Sequence, residues 1–412
     1  MAHHHPVDLS ERMESVDLVR GYALLGVLLM NVQYWFRNPP QPYWLGGHPS
    51  PGALNLGADL LLKFWFEAKS VTLFSMLFAF GLCVQRERAL AKGLHWGAYA
   101  SRRLGAMLLF GVLHIVLVWN GDILHWYALC ALLILPFLGR EARTLQRWIV
   151  VILGVAILGI LAGSVFQMLR AAPPQPSAEG QAALKAWGEA CIQAYQQSSW
   201  VAVMRFRLRD YAHVFLAPEM LGFVVFTFLN FLIGAWIFKD GVLRSPEQQA
   251  ARIGRFAARM MILGVLLGAL LVLQGEAKPF LRAHWSWTRF LMPLLGIAQG
   301  LGIQPMALGI GGGLVWLWTK PGWKRVLAPL LPVGRMAFTN YILQSLVSTF
   351  VFYGWGLGYY DRVGPAAGMA YSLVLFSLQI PFSAWWLSRF RFGPLEWLWR
   401  CLTYAELQPF RR

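Results

Sequence analysis

The chain has 412 residues, of which 57% are hydrophobic, 20 are tryptophan and only 13% are charged, and its 36 Lys and Arg against 19 Asp and Glu give a formal net charge of +17. That balance excludes an ordinary soluble domain. The basic residues fall mostly in short loops between apolar stretches, and no basic stripe carries interleaved stacking aromatics, so nucleic acid is excluded as a partner and membrane lipid is expected instead.

Residues 1–15 are polar, with Asp8, Glu11 and Glu14 ahead of the first apolar stretch, the pattern of an uncleaved anchor rather than a signal peptide. Ten stretches long enough to cross a bilayer follow. They are Val16–Phe36, Gly57–Val84, Ala98–Trp119, Ile123–Leu138, Trp148–Leu169, His213–Phe238, Phe256–Leu273, Phe290–Trp318, Met336–Leu357 and Ala366–Leu387. The fold expected over residues 16–388 is an all-α polytopic transmembrane bundle of about ten spans. The eighth span carries Pro293, Pro305 and the run Gly309–Gly313, so it is either broken or re-entrant. Between the fifth and sixth spans, residues 170–212 open with Pro173, Pro174 and Pro176. An amphipathic helix is expected there over Ala182–Tyr195, either lying on the membrane or forming a lid over an outward-facing site. Residues 389–412 are basic and aromatic and read as an interfacial helix, with Glu396 pairing to an arginine. The side carrying both termini holds Arg86, Arg88, Lys92, Arg140, Lys239 and Lys320 among many others, while the short opposite loops hold little beyond Arg37 and Arg362. Both termini are therefore expected in the cytoplasm.

Polar residues inside spans need a reason. Asp17 and Arg20, three apart, share a helix face and can pair, and Leu24, Leu28 and Asn31 continue the stripe. Arg20 either snorkels or meets a ligand, and Asn31 either caps the helix or donates into a site. His48 sits in the loop Tyr43–Pro49, where an imidazole can serve as a general base. Asp59, Lys63 and Glu67 form an i,i+4 ladder, and Lys69 beyond it either neutralises Glu67 or holds a negative group such as a phosphate. Asp122, in the turn Asn120-Gly121-Asp122, either caps the fourth span or orients an imidazole. The flanking His114 and His125 read as satisfied core histidines. Asn340 and Gln344 share a face, for helix-to-helix hydrogen bonds or a substrate amide. The four cysteines, Cys83, Cys130, Cys191 and Cys401, show no CxxC spacing, and no disulfide framework or metal site is expected.

Several segments carry a resemblance. Met13 through Gly26 resembles the opening of the YeiB-type bacterial membrane proteins, as do Lys69 through Gly81, Gly121-Asp122-Ile123-Leu124, Gly334 through Tyr341 and Phe392 through Trp397. That family is similar to a branch of a transmembrane acyltransferase superfamily. The superfamily includes enzymes that O-acetylate bacterial surface sugars and the lysosomal heparan-alpha-glucosaminide N-acetyltransferase. The sugar O-acetyltransferases carry Arg, ten residues, then His in their first core helix. Arg20 matches the Arg, but Asn31 stands at the His position. The lysosomal enzyme has Asn there and its catalytic His in the loop beyond, which His48, followed by Ala58-Asp59-Leu60, matches by order and spacing.

The resemblance implies a bacterial inner-membrane acyltransferase without a metal. It would move an acyl group from cytoplasmic acyl-CoA, acetyl-CoA in the simplest form, to a hydroxyl or amine of a small-molecule or glycan acceptor on the outer side. In that reading His48 is the base, Asn31 binds the oxyanion, Asp122 orients His48, Arg20 and Lys69 hold the donor's phosphates, and Asn340 and Gln344 bind an amide. Two other classes fit the sequence, a secondary transporter of a small molecule or peptide and a non-catalytic membrane partner or sensor.

Overall fold

The structure, a computed structural model, describes residues 13–39, 52–172, 177–217 and 220–412, so His48 and the prolines at 173, 174 and 176 lie outside the described residues. Helices account for most of it, and an isolated bridge between Phe390 and Arg411 is the sole β pairing among the described residues. The first helices are α1 (Glu14–Asn31, running on as a π turn over Val32–Phe36), α2 (Ala53–Trp65), α3 (Lys69–Ala91), α4 (Trp96–Leu117), α5 (Leu124–Ile134) and α6 (Ala142–Met168). Then come α7 (Ala178–Tyr195), α8 (Trp200–Phe215), α9 (Met220–Asp240), α10 (Ala250–Ala283), α11 (Trp285–Thr288), α12 (Met292–Leu301) and α13 (Ile303–Trp318). The chain closes with α14 (Pro321–Leu327), α15 (Leu330–Arg335), α16 (Ala337–Phe352), α17 (Pro365–Arg389) and α18 (Pro394–Tyr404).

Among the described residues, eight stretches are long and apolar enough to cross a membrane, and two shorter apolar helices, Leu124–Phe137 and Ala337–Phe352, stand where the fourth and ninth spans are expected. The molecule is an all-α polytopic membrane protein.

α1 is the central post. Of its most apolar window 78% is buried, against 6% for α6, so α1 packs on protein while α6 meets lipid. Glu14 and Asp17 in its first turn oppose the positive end of the helix dipole. A side chain at Gly21 would strike the Leu330 carbonyl and one at Gly334 the Asp17 carbonyl, so these two glycines set the close approach of α1 and α15.

Three expectations are revised. The second span is not one helix. It breaks at residues 66–68, where Ala68 adopts a left-handed φ of 59°, so α2 and α3 are separate rods. Lys69 explains the break, because its ammonium donates to the Lys63 carbonyl at 2.9 Å and satisfies the last turn of α2. His213 belongs to α8, and the sixth span begins at Met220. The seventh runs much longer than Phe256–Leu273, as the 34-residue α10. The eighth is broken, one of its two expected forms, with α12 and α13 meeting at Gly302.

The short fourth span has a structural cause. α5 starts from a turn sunk below the end of α4, in which Trp119, Asn120 and Asp122 are all buried. Non-helical backbone at that depth is tolerated only where protein covers it. The cover is α8, whose Arg207 donates to the Val116 carbonyl at 3.1 Å and whose Asp210 accepts from Asn120 at 2.8 Å.

Candidate functional site

A cavity of about 680 Å³ opens at the face that carries the start of α1 and the helix α18. On α1 its lining runs through Met13, Asp17, Arg20, Leu24 and Val27, a single stripe about 20 Å deep at 1.5 Å per residue. The mouth is basic, with Arg20, Arg88, Lys92, Arg103, Arg335 and Arg400 against Asp17 and Glu396. The closed end is apolar and aromatic, formed by Val27, Ile123, Leu124, Tyr127 and Tyr341. Its volume lies within the range of small-molecule and cofactor sites, roughly 300–1,000 Å³.

The mouth is held in shape by side chains that do more than carry charge. Arg20 pairs with Asp17 at 2.6 Å, as their spacing predicts. The Arg103 guanidinium lies 3.8 Å over the Trp399 ring, whose indole N–H donates to the Arg103 carbonyl at 3.0 Å, so α18 and α4 fix each other. Glu396 differs from expectation. Its carboxylate takes hydrogen bonds from the backbone N–H of Phe338 at 2.8 Å and of Thr339 at 3.1 Å and from the Thr339 hydroxyl, and so caps α16. The reason is position, since the first turn of α16 presents unsatisfied N–H groups and a positive dipole end to a buried carboxylate. Burial outweighs those bonds and holds the Glu396 carboxyl above the usual carboxylate range.

Behind the closed end lies the second feature. Asp122 takes the His114 Nδ1–H on Oδ2 at 2.8 Å and the His125 Nδ1–H on Oδ1 at 2.9 Å, with the His125 backbone N–H also on Oδ1 at 2.9 Å. An ionised carboxylate offers no proton, which assigns both ring protons to Nδ1. All three residues are buried. Burial would raise the Asp122 carboxyl, but the two imidazole donors outweigh it and hold the group below its ordinary value. His125 Nε2 receives the Tyr211 hydroxyl of α8 at 2.9 Å. His114 Nε2 has no partner among the described residues. Gly111 on α4 makes the space, because a Cβ there would stand 2.7 Å from Asp122 Oδ1 and 2.6 Å from the His125 nitrogen.

Of the residues given a catalytic or binding role from sequence, Arg20 lines the cavity, and the other described ones do not. Asp122 sits just behind its closed end. It caps α5 and orients imidazoles, as the two alternatives had it, but the imidazoles are those of His114 and His125 and both carboxylate oxygens are engaged. Lys69 lies at the α2–α3 break and Asn31 in the last turn of α1, half-buried and without a side-chain hydrogen bond among the described residues. Asn340 donates to the Ser383 hydroxyl at 2.9 Å and Gln344 to the Gln379 carbonyl oxygen at 2.8 Å, which ties α16 to α17. His48 lies outside the described residues. Sequence reasoning missed Arg103, Tyr211 and Tyr341, and read His114 and His125 as core. The available signal for the histidines was their position on the two flanks of one buried-turn aspartate.

The fold and this cavity define a polytopic membrane protein with a deep, basic-mouthed chamber. A family described as "Protein of unknown function (DUF418)" matches residues 237–406. The "Uncharacterized protein YxaH" of Bacillus subtilis (strain 168) is 31% identical over 428 residues, covering 99% of this chain and 98% of its own length. The "Uncharacterized protein YeiB" of Escherichia coli (strain K12) is 28% identical, covering 97% and 98%. No solved structure matches the chain. The chain belongs to the YeiB-type, DUF418 family.

Proposed function

We propose that this protein is a membrane-embedded acyltransferase of the bacterial cytoplasmic membrane, with both termini in the cytoplasm and acyl-CoA as donor. The cavity carries the reading. Its mouth is lined by six basic side chains whose field favours a polyanion, its closed end has apolar walls for an acyl group, and it lies on the face that loop charge assigns to the cytoplasm. The donor's phosphates would lie against Arg20, Arg88 and Arg103, and its thioester would reach toward Tyr127 and Tyr341. An acceptor hydroxyl or amine gives its proton to an imidazole and attacks the thioester carbonyl. The C–S bond breaks, and the thiolate takes the proton back as CoA thiol. The resemblance implies His48 for that base.

A second reading has its own observation. The breaks at residues 66–68 and at Gly302 interrupt two spans, as happens in secondary transporters. Proteoliposomes decide between them. Acyl transfer is expected to release free thiol from acetyl-CoA faster in the presence of glucosamine, an acceptor with both amine and hydroxyls. Glucosamine uptake without acetyl-CoA, with no thiol release, contradicts the enzyme reading.

A further inference from the structure

We infer that His114 is the general base and acid of this site, with Asp122, His125 and Tyr211 as its positioning residues. The inference rests on the acyltransferase reading and names the group that moves the proton.

The argument begins from an orphan. A buried polar atom without a partner costs free energy and needs a reason. His114 is 3% exposed, and its Nε2 is unpartnered among the described residues while its Nδ1–H is spent on Asp122. That leaves on Nε2 the lone pair a general base requires, in the tautomer that a carboxylate behind Nδ1 enforces. The imidazolium formed on taking a proton is stabilised by the same carboxylate. His125 differs in this respect, because both of its ring nitrogens are engaged.

The imidazole also lies in the right place. Its ring centroid is 5.3 Å from that of Tyr341, and Tyr341 lines the closed end of the cavity. The Tyr341 hydroxyl accepts the Ile123 N–H at 3.3 Å, and Ile123 is cavity wall as well. His114 is thus one side chain behind the point where a bound acyl group ends. This mechanism requires Tyr341 to turn aside as the donor enters, so that Nε2 meets the acceptor beside the thioester. Catalytic contacts often tighten only in the substrate complex.

The second imidazole has a mechanical role. By holding Oδ1 through its ring and its backbone N–H, His125 leaves Oδ2 to His114. Tyr211 then fixes His125 from α8, so the helix that covers the turn on the far face completes the centre. The proton cycle closes on one nitrogen. Nε2 takes the acceptor's proton as the acyl–acceptor bond forms, and returns it to the CoA thiolate as the C–S bond breaks.

The test is thiol release from acetyl-CoA with glucosamine by the purified full chain, alongside calorimetry of acetyl-CoA. His114→Gln is expected to lower kcat by about 100-fold or more, the usual contribution of a general base, with acetyl-CoA affinity unchanged. The unchanged affinity shows that the variant is folded. Tyr211→Phe, which removes the hydroxyl and keeps the ring, is expected to lower kcat several-fold at unchanged KM. His48→Ala is the control. If it abolishes turnover while His114→Gln stays within about threefold of the unmodified protein, the base is His48 and this inference fails, with acyl transfer intact. If the unmodified protein releases no thiol, the acyltransferase reading itself fails and takes this one with it.

Discussion

Gly111 is the residue on which the Asp122 centre depends most directly for space. Alanine there must displace either the carboxylate or the His125 backbone, and the neighbouring backbone nitrogen leaves little freedom to yield. Gly111→Ala is expected to lower both the melting temperature in detergent and any turnover. Gly105→Ala, six residues earlier on the same helix with nothing within 4 Å, is expected to be neutral or to stabilise by about 0.5–1 kcal/mol through helix propensity. Equal effects from the two would show that the packing around Asp122 is loose. The residue scale is also where sequence reading was weakest. Asp122 was legible as a turn carboxylate able to hold an imidazole. Its partner His114 was not, because that pairing depends on how deeply the turn sinks, which periodicity does not report. Lys69 was conspicuous as a buried lysine, yet its role as the cap of α2 required the break at Ala68, and the segment Phe66-Glu67-Ala68 contains neither Gly nor Pro to announce one.

Among the elements, α7 and α8 form the cover over the far face, and Asp210 is its fastening. The carboxylate accepts from Asn120, Tyr195 at 2.7 Å and Trp187 at 3.3 Å. Burial holds its carboxyl above the ordinary range. Asp210→Ala would strand two buried donors, Asn120 and Tyr195, each costing about 1–3 kcal/mol, and free the half-buried Trp187. We expect this variant to loosen the cover and to speed tryptic cleavage at Arg205 and Arg209, and unchanged cleavage would refute the fastening. α8 packs on the turn that holds Asp122, and α7 is tied to α8 through Trp187 and Tyr195 on Asp210. The sequence indicated the helix through its amphipathic spacing. It could not indicate the tie to α8, which depends on a carboxylate fifteen residues farther along.

Glu396 gives the corresponding test on the near face. A carboxyl whose folded value is raised contributes most below its unfolded value, about 4.3, and that contribution is lost as pH rises through the raised one. Thermal stability should therefore fall over that window in the unmodified protein. Glu396→Gln, which keeps an acceptor for the start of α16, should flatten the fall. A slope unchanged by the substitution would show that Glu396 titrates normally.

At the scale of the whole molecule, the apolar stretches made the all-α bundle legible, and the prolines and glycines of the eighth span marked its break. The cavity was only partly legible. The stripe Asp17, Arg20 and Leu24 is its α1 wall, but the opposing wall comes from α3, α4, α15 and α18, which no local pattern brings together. Orientation has its own check. The native cysteines are all buried, so introduced ones report cleanly. With both termini inside, Arg362→Cys should react with an impermeant maleimide on intact cells, and Gln248→Cys should react only after lysis. The reverse pattern would place the cavity mouth outside, away from acyl-CoA.

The measurement that bears most directly on the central claim is calorimetric binding of acetyl-CoA to the purified protein, with Arg20→Ala and Arg103→Ala beside it. A donor site in the cavity requires saturable one-to-one binding, weakened about tenfold or more by either substitution, since each removes a charge-assisted contact to phosphate. No binding of acetyl-CoA or of a longer acyl-CoA, or binding indifferent to both arginines, would contradict it.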